Sequence, residues 1–247
     1  MYTRYGSDEQ TVGGRKLIRT GITTLDEQIK GIPSNSVILL LGEPGSGFLT
    51  FMHQILAMRT RLGGKILYAS LDRPKEEVIF DTKIYGWDIE NSWSFIDISP
   101  TTTRALEISW EKNTVNQLSH TFVTQIKKEK DQTRILDTVI NTISSLFLEA
   151  EAREVFGFIN EYASAIKDTG GLHFVSMVRG MHSREIEISM VHFCDVVFDF
   201  WTDLRGDEYR RIMGVRKMRG APIPPRMTLP LEFTKTGISP DTARRIT

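Results

Sequence analysis

Apolar and polar positions along the chain fall into two alternating textures. Short, nearly continuous apolar runs recur as "VILLLG" (37–42), "KILYASL" (65–71), "SFIDIS" (94–99) and "LHFVSMV" (172–178). The first of them is bounded by turn signals on both sides. That pattern predicts strands of a parallel sheet covered on both faces. Between the runs, apolar residues recur at helical spacing. The pattern predicts helices over 48–62, ending at Gly63-Gly64, over 75–86, ending near Gly86, and over about 104–130. "EAREVFGFINEYASAIK" (151–167) places Val155, Phe156, Ile159, Ala163 and Ile166 on one helical face, and Gly170-Gly171 ends it. "TVINTISSLF" (138–147) reads as a further apolar, β-rich run. Ahead of the first strand, Thr24 and Glu27 have capping-box spacing for a short helix.

The texture changes at Asp195. "DVVFDFWTDLRGDEYRRIMGVRKM" (195–218) predicts two long strands joined at Gly206-Asp207, a β-hairpin. "PIPPRM" reads as a rigid loop and "LEFTKTG" as a last short strand and turn. Strands alternating with helices and closed by antiparallel strands predict one α/β domain over residues 18–240. A flexible lead-in over 1–17 and a tail over 241–247 flank it. No internal repeat or low-complexity segment interrupts it.

Composition narrows the class. The 247 residues carry 31 basic and 31 acidic side chains, so net charge favours no nucleic-acid partner. The four tryptophans, Trp87, Trp93, Trp110 and Trp201, are scattered and form no stacking platform. The single cysteine, Cys194, excludes an internal disulfide and fits a reducing compartment. No apolar run approaches the roughly 18 residues that span a bilayer. The expectation is a soluble cytoplasmic protein with no membrane partner. The charge run "KKEKDQTR" reads as a solvated face. None of His53, His120, His173, His182 and His192 has metal-ligand spacing, and "HFC" at 192–194 reads as core.

Chemistry concentrates in "GEPGSGFLT": Gly42, Glu43, Pro44, Gly45, Ser46, Gly47, Phe48, Leu49 and Thr50. A phosphate loop, G-x-x-x-x-G-K-[ST], works through two separable devices. Backbone N–H groups at a helix N-terminus surround the phosphates, and a lysine and a hydroxyl then supply charge and a Mg²⁺ ligand. The glycines retain the first device. Phe48 and Leu49 replace the second. Loss of a charge-assisted bond to phosphate costs about 1.5–3 kcal/mol.

Taken in order, the segments resemble the KaiC-like branch of the RecA-type ATPases. "TGITTLDEQIKGIPSNSVILLLGEPGSG" is similar to that family's opening, with about one glycine fewer. "YASLDRPKEEVIFDTKIYGWDIE" is similar to its strand, helix and Gly-Trp-Asp. "RIMGVRKMRG" and "PLEFTKTGI" are similar to its closing strand, K-M-R-G motif and final turn. The resemblance covers residues 20–240 and implies a RecA-like fold with a mainly parallel sheet and a C-terminal antiparallel hairpin.

Carried across, the resemblance puts the family's paired glutamates, which activate the attacking water, on Asp72 and Arg73. The carboxylate that orders Mg²⁺ falls on Asn141, with Asp137 as a rival placed too early in its strand. Lys217 and Arg219 keep the two cations that reach a neighbouring subunit's nucleotide, and strand alternation turns Arg216 and Met218 away from them. The implied function is a pseudo-ATPase, a regulatory, signalling or assembly subunit. ATP or ADP would bind weakly at most, with no Mg²⁺ site, and the partner would be a second copy or a KaiC-like homologue. Two alternatives stay open: a slow or unconventional ATPase using Asp72, and a recombinase-related nucleic-acid binder.

Overall fold

The computed structural model describes residues 11–100, 102, 114–132, 135–205, 208–221 and 227–240. Two short strands, β1 (Thr11–Val12) and β2 (Arg15–Ile18), pair with each other, and β2 pairs with β3 (Ile32–Pro33). Residues 11–17, expected within a flexible lead-in, thus belong largely to this small sheet. Helix α1 (Thr23–Ile29) lies between β2 and β3. Its capping differs from the expected box. No side chain caps its N-terminus; instead the buried Asp26 carboxylate accepts from the amides of Thr20 and Gly21 and from the Thr20 hydroxyl. That carboxylate fixes the chain entering α1 rather than capping the helix's own first amides, which the expected Thr24–Glu27 box would have done.

The main sheet follows, with β4 (Ser36–Gly42), α2 (Phe48–Arg61), β5 (Lys65–Ser70), α3 (Lys75–Lys83) and β6 (Trp93–Asp97). Next come α4 (Thr114–Gln132), β7 (Leu136–Asn141), α5 (Ile143–Glu149) and α6 (Ala152–Ala165). The chain continues with β8 (Leu172–Val178), α7 (Arg184–Phe193), β9 (Val196–Arg205), β10 (Glu208–Met218), β11 (Thr228–Thr234) and β12 (Gly237–Pro240). Among the described residues these strands order as β12-β11-β10-β9-β4-β8-β7-β5-β6. From β9 through β6 the pairs are parallel; β10, β11 and β12 extend the sheet antiparallel. The expected α/β architecture and C-terminal hairpin are present.

Two apolar layers sandwich the sheet. One side buries Ile38 and Leu40 of β4 against Phe51, Met52, Ile55 and Leu56 of α2. The other buries Leu39 and Leu41 against Phe122 of α4, Val155 and Ile159 of α6, and Met190 of α7. Alternate β4 side chains serve opposite layers, so its whole run must be apolar. In α6 the fully buried face is Val155, Phe158, Ile159, Tyr162 and Ala165; Phe156 and Ala163 lie at its margin.

The run 138–147 is not one strand. It ends at Asn141, and Thr142 caps α5, its hydroxyl accepting from the Ser144 amide at 3.4 Å. The β-branched residues after Asn141 masked a helix start. The stretches 103–113 and 222–226, and the turn Gly206-Asp207, lie outside the described residues.

Candidate functional site

The strand order brings the candidate residues to one edge of the sheet, where parallel strands end. The glycine-rich loop follows β4, Asp72 and Arg73 follow β5, and Asn141 ends β7. Pairing of Ser70 with Asn141, and the Leu71 amide donating to the Asn141 carbonyl at 2.7 Å, hold the last two together.

The loop keeps left-handed glycines directly ahead of a helix N-terminus. Gly45 and Gly47 take φ of 81° and 93°, a region that favours glycine. Helix α2 opens at Phe48 with Gly47 as an N-cap that offers no side-chain acceptor. The loop is held from within by the Ser46 hydroxyl and amide, both donating to the Glu43 carbonyl. Pro44 is exposed and Thr50 half-buried.

Phe48 occupies the lysine position and turns into the core. It is 6% exposed, lies 6.4 Å from the Phe200 ring, and packs so closely on Gly42 that a Cβ there would stand 2.3 Å from Phe48 Cδ1. Leu49 packs at the margin of the same apolar layer. A ring buried this way cannot extend toward a ligand as an ammonium would.

Across the sheet, Asn141 is buried and its Oδ1 accepts from Ser176 Oγ at 2.6 Å. Beside it lies Tyr68, whose hydroxyl meets His53 Nε2 at 3.0 Å. Burial pushes His53 down to about 3, with Arg73 acting in the same direction, so this polar string is neutral near pH 7. Asp72 Oδ1 is buried with no hydrogen-bond partner among the described residues. Desolvation raises the Asp72 carboxyl, opposed by Arg73. The Arg73 side chain itself pairs with Asp81 of α3 at 3.2 Å, on the exposed surface.

Asp137, the rival metal-site assignment, is remote in role. It accepts Nε and Nη2 of Arg59, each at 2.9 Å, and the Leu172 amide at 2.7 Å.

These donors do not fit a resident Mg²⁺. Leu49 offers no side-chain oxygen, Asn141 is neutral and engaged, and the Glu43 carboxylate is bonded to Thr202, which leaves the Asp72 carboxylate among the candidate residues.

Three contacts escaped the sequence reading. Thr202 donates its amide and hydroxyl to Glu43 Oε2, both at 2.9 Å. Arg211 Nε donates to the Gly45 carbonyl at 2.9 Å, its guanidinium 4.6 Å from the centre of the Phe233 ring. Phe233 abuts Gly47, where a Cβ would lie 2.6 Å from Phe233 Cζ. Partners this distant in sequence leave no local signature.

With this geometry in view, comparison with known proteins is decisive for the family. Residues 18–241 match the family described as "ATPase: KaiC". The chain belongs to the KaiC ATPase family. A UPF0273 protein of Thermotoga maritima is 25% identical over 240 residues, covering 90% of this chain and 95% of that protein. A second UPF0273 protein, from Pyrococcus horikoshii, is 27% identical over 235 residues, covering 90% and 92%. The solved KaiC-like protein of Pyrococcus horikoshii OT3 superposes with a TM-score of 0.73 at 19% identity, covering 92% of this chain and 99% of that one. The last likeness concerns the fold alone.

The KaiC-like closing motif is displaced from simple alternation. A bulge between Val215 and Lys217 inserts Arg216, which pairs with Asp199 at 2.9 Å. Lys217 Nζ donates to the carbonyls of Val191, His192 and Cys194 at 2.6–2.9 Å, capping the end of α7. Arg216 and Lys217 therefore both reach the side of the sheet that carries α7, against the expected alternation, while Met218 enters the opposite layer. Arg219 pairs with Asp195 at 3.3 Å and is 60% exposed. No helix among the described residues is long and apolar enough to cross a membrane.

Proposed function

We propose that this member of the KaiC ATPase family is a pseudo-ATPase, a regulatory, signalling or assembly subunit that does not hydrolyse ATP. The observation that carries the reading is the Phe48 ring, buried against Gly42 where a phosphate-binding lysine would stand. A neutral Asn141 and an Arg73 turned to Asp81 support it from the other side of the edge. The glycine loop Gly42–Gly47 remains as scaffold and gives at most weak affinity for ATP or ADP. The partner is a second copy or a KaiC-like homologue. Of the two motif cations, Arg219 is the one placed to reach such a partner's nucleotide, since it is 60% exposed beyond its pair with Asp195 while Lys217 is committed to capping α7.

The test is calorimetry of ATP and ADP, with and without Mg²⁺, on wild type and on Phe48→Lys with Leu49→Thr. Binding by the double variant and none by wild type is the expected result. Micromolar, Mg²⁺-dependent binding by wild type overturns the reading.

One observation favours a second reading, a slow ATPase. The unpartnered Asp72 oxygen, on a carboxyl raised by burial, is suited to accepting a proton from water. An ATPase activity of the purified chain that Asp72→Asn abolishes would establish it.

A further inference from the structure

Alternate residues of the loop are each gripped by a different one of the successive strands β9, β10 and β11. Thr202 of β9 holds Glu43 through two hydrogen bonds, Arg211 of β10 holds the Gly45 carbonyl, and Phe233 of β11 rests on Gly47. The register explains the spacing. Thr202 pairs directly with Arg211, Arg211 pairs with Leu231, and Phe233 is two residues beyond Leu231 on the same face. The grips also support one another, since the Arg211 guanidinium lies over the Phe233 ring. Ile238 of β12 adds a fourth contact at Gly47, and Gln54 of α2 fixes that strand by two hydrogen bonds to Ile238.

We infer that β9, β10 and β11 form an intramolecular clamp that holds the glycine loop in its cradle shape without a ligand and closes it to phosphate. The inference rests on reading the loop as a retained scaffold. In an open cradle, a bound phosphate would order the glycines. Here the protein supplies that order itself, and the Arg211 guanidinium at the loop is spent on a backbone carbonyl. Entry of a diphosphate would require Arg211 to leave Gly45 and the Phe233 ring to lift from Gly47. Weak nucleotide binding then has two separable causes, the missing lysine and the clamp.

The test compares wild type with Thr202→Val, Arg211→Ala and Phe233→Ala by hydrogen exchange of residues 43–49, with no nucleotide present. The clamp predicts loop amides exchanging about tenfold faster in each variant, while β5 (Lys65–Ser70) keeps its wild-type rate and reports an intact fold. Wild-type loop rates in all three variants would overturn it. Should Phe233→Ala fail to fold, Thr202→Val and Arg211→Ala carry the readout. A second arm adds Arg211→Ala to Phe48→Lys with Leu49→Thr and titrates ADP. Tighter binding by about tenfold supports the clamp; weaker binding makes Arg211 a phosphate ligand and overturns it. If neither protein binds ADP, the scaffold reading of the loop fails, and the exchange rates alone still decide the clamp.

Discussion

Arg59 and Asp137 meet across the core, guanidinium to carboxylate, through two hydrogen bonds of 2.9 Å with the carboxylate fully buried. The pair ties the last turns of α2 to the first residues of β7, and Asp137 also receives the Leu172 amide of β8. Removing one partner strands the other charge away from water. Asp137→Ala is expected to cost about 3–5 kcal/mol, because the abandoned guanidinium dominates. Arg59→Met with Asp137→Leu should recover most of that loss. Urea denaturation of the single and double variants checks both statements.

Two histidines make the fold sensitive to acid. Burial drives both His53 and His173 down to about 3, against an ordinary value of 6.5. His173 is held between Thr138 Oγ1 at 2.9 Å and Thr169 Oγ1 at 2.7 Å. The unfolded chain takes up these protons below about pH 6.5 and the folded chain does not until about pH 3. Stability is therefore fully present above 6.5 and is lost as pH falls toward 3. Each histidine contributes a slope of about 1.4 kcal/mol per pH unit in that window. The raised carboxyls of Asp26, Asp72, Asp137 and Asp199 act in the opposite sense. The clean observable is thus a difference: His173→Gln should flatten the pH dependence of the urea midpoint by one histidine's share.

What the sequence disclosed was whatever repeats locally. The β4 run is apolar at every position because both its faces are covered, and the loop glycines follow it directly; both are visible in a dozen residues. The start of α5 was hidden because β-branched residues run on past Asn141, although Thr142 and Ser144 carry a capping signal. Asp26 was overlooked because its partners, Thr20 and Gly21, precede the helix it serves. The contacts of Thr202 and Arg211 with the loop span 159 and 166 residues and depend on strand order, which no local pattern encodes. Gly171 is the sharpest case. It reads as a helix stop, yet its hydrogen is required because a Cβ would lie within 1.9 Å of the Leu136 carbonyl oxygen. Gly171→Ala should destabilise the domain by about 2 kcal/mol or more, through backbone displacement between β7 and β8. Thermal unfolding measures it.

Cys194 should be inert. It is buried at the end of α7, and burial pushes its thiol up to about 12 despite the nearby Lys217 ammonium. Thiolate is the reactive form, so almost none exists at neutral pH. A disulfide reagent at pH 8 should modify the native protein only as fast as the protein opens, and modify it at once in denaturant. Rapid stoichiometric labelling of the native chain would contradict the packing described for α7 and β9.

Lys217 offers the test that separates fold from partnership. Its ammonium satisfies three carbonyls that end α7, and desolvation lowers its pKa, with Arg219 adding to the effect. Lys217→Met leaves those carbonyls without their donor and should cost about 1–3 kcal/mol. Arg219→Ala removes a mostly exposed guanidinium from Asp195, whose carboxylate keeps the Val37 amide and Arg15, and should change stability by less than about 1 kcal/mol. If Arg219 is the residue that reaches a KaiC-like partner, its variant should keep its melting temperature while losing the effect on that partner's ATPase. Lys217→Met should lose both together. A Lys217→Met protein as stable as wild type would show that the cap is dispensable and return Lys217 to the set of cations available to a neighbour.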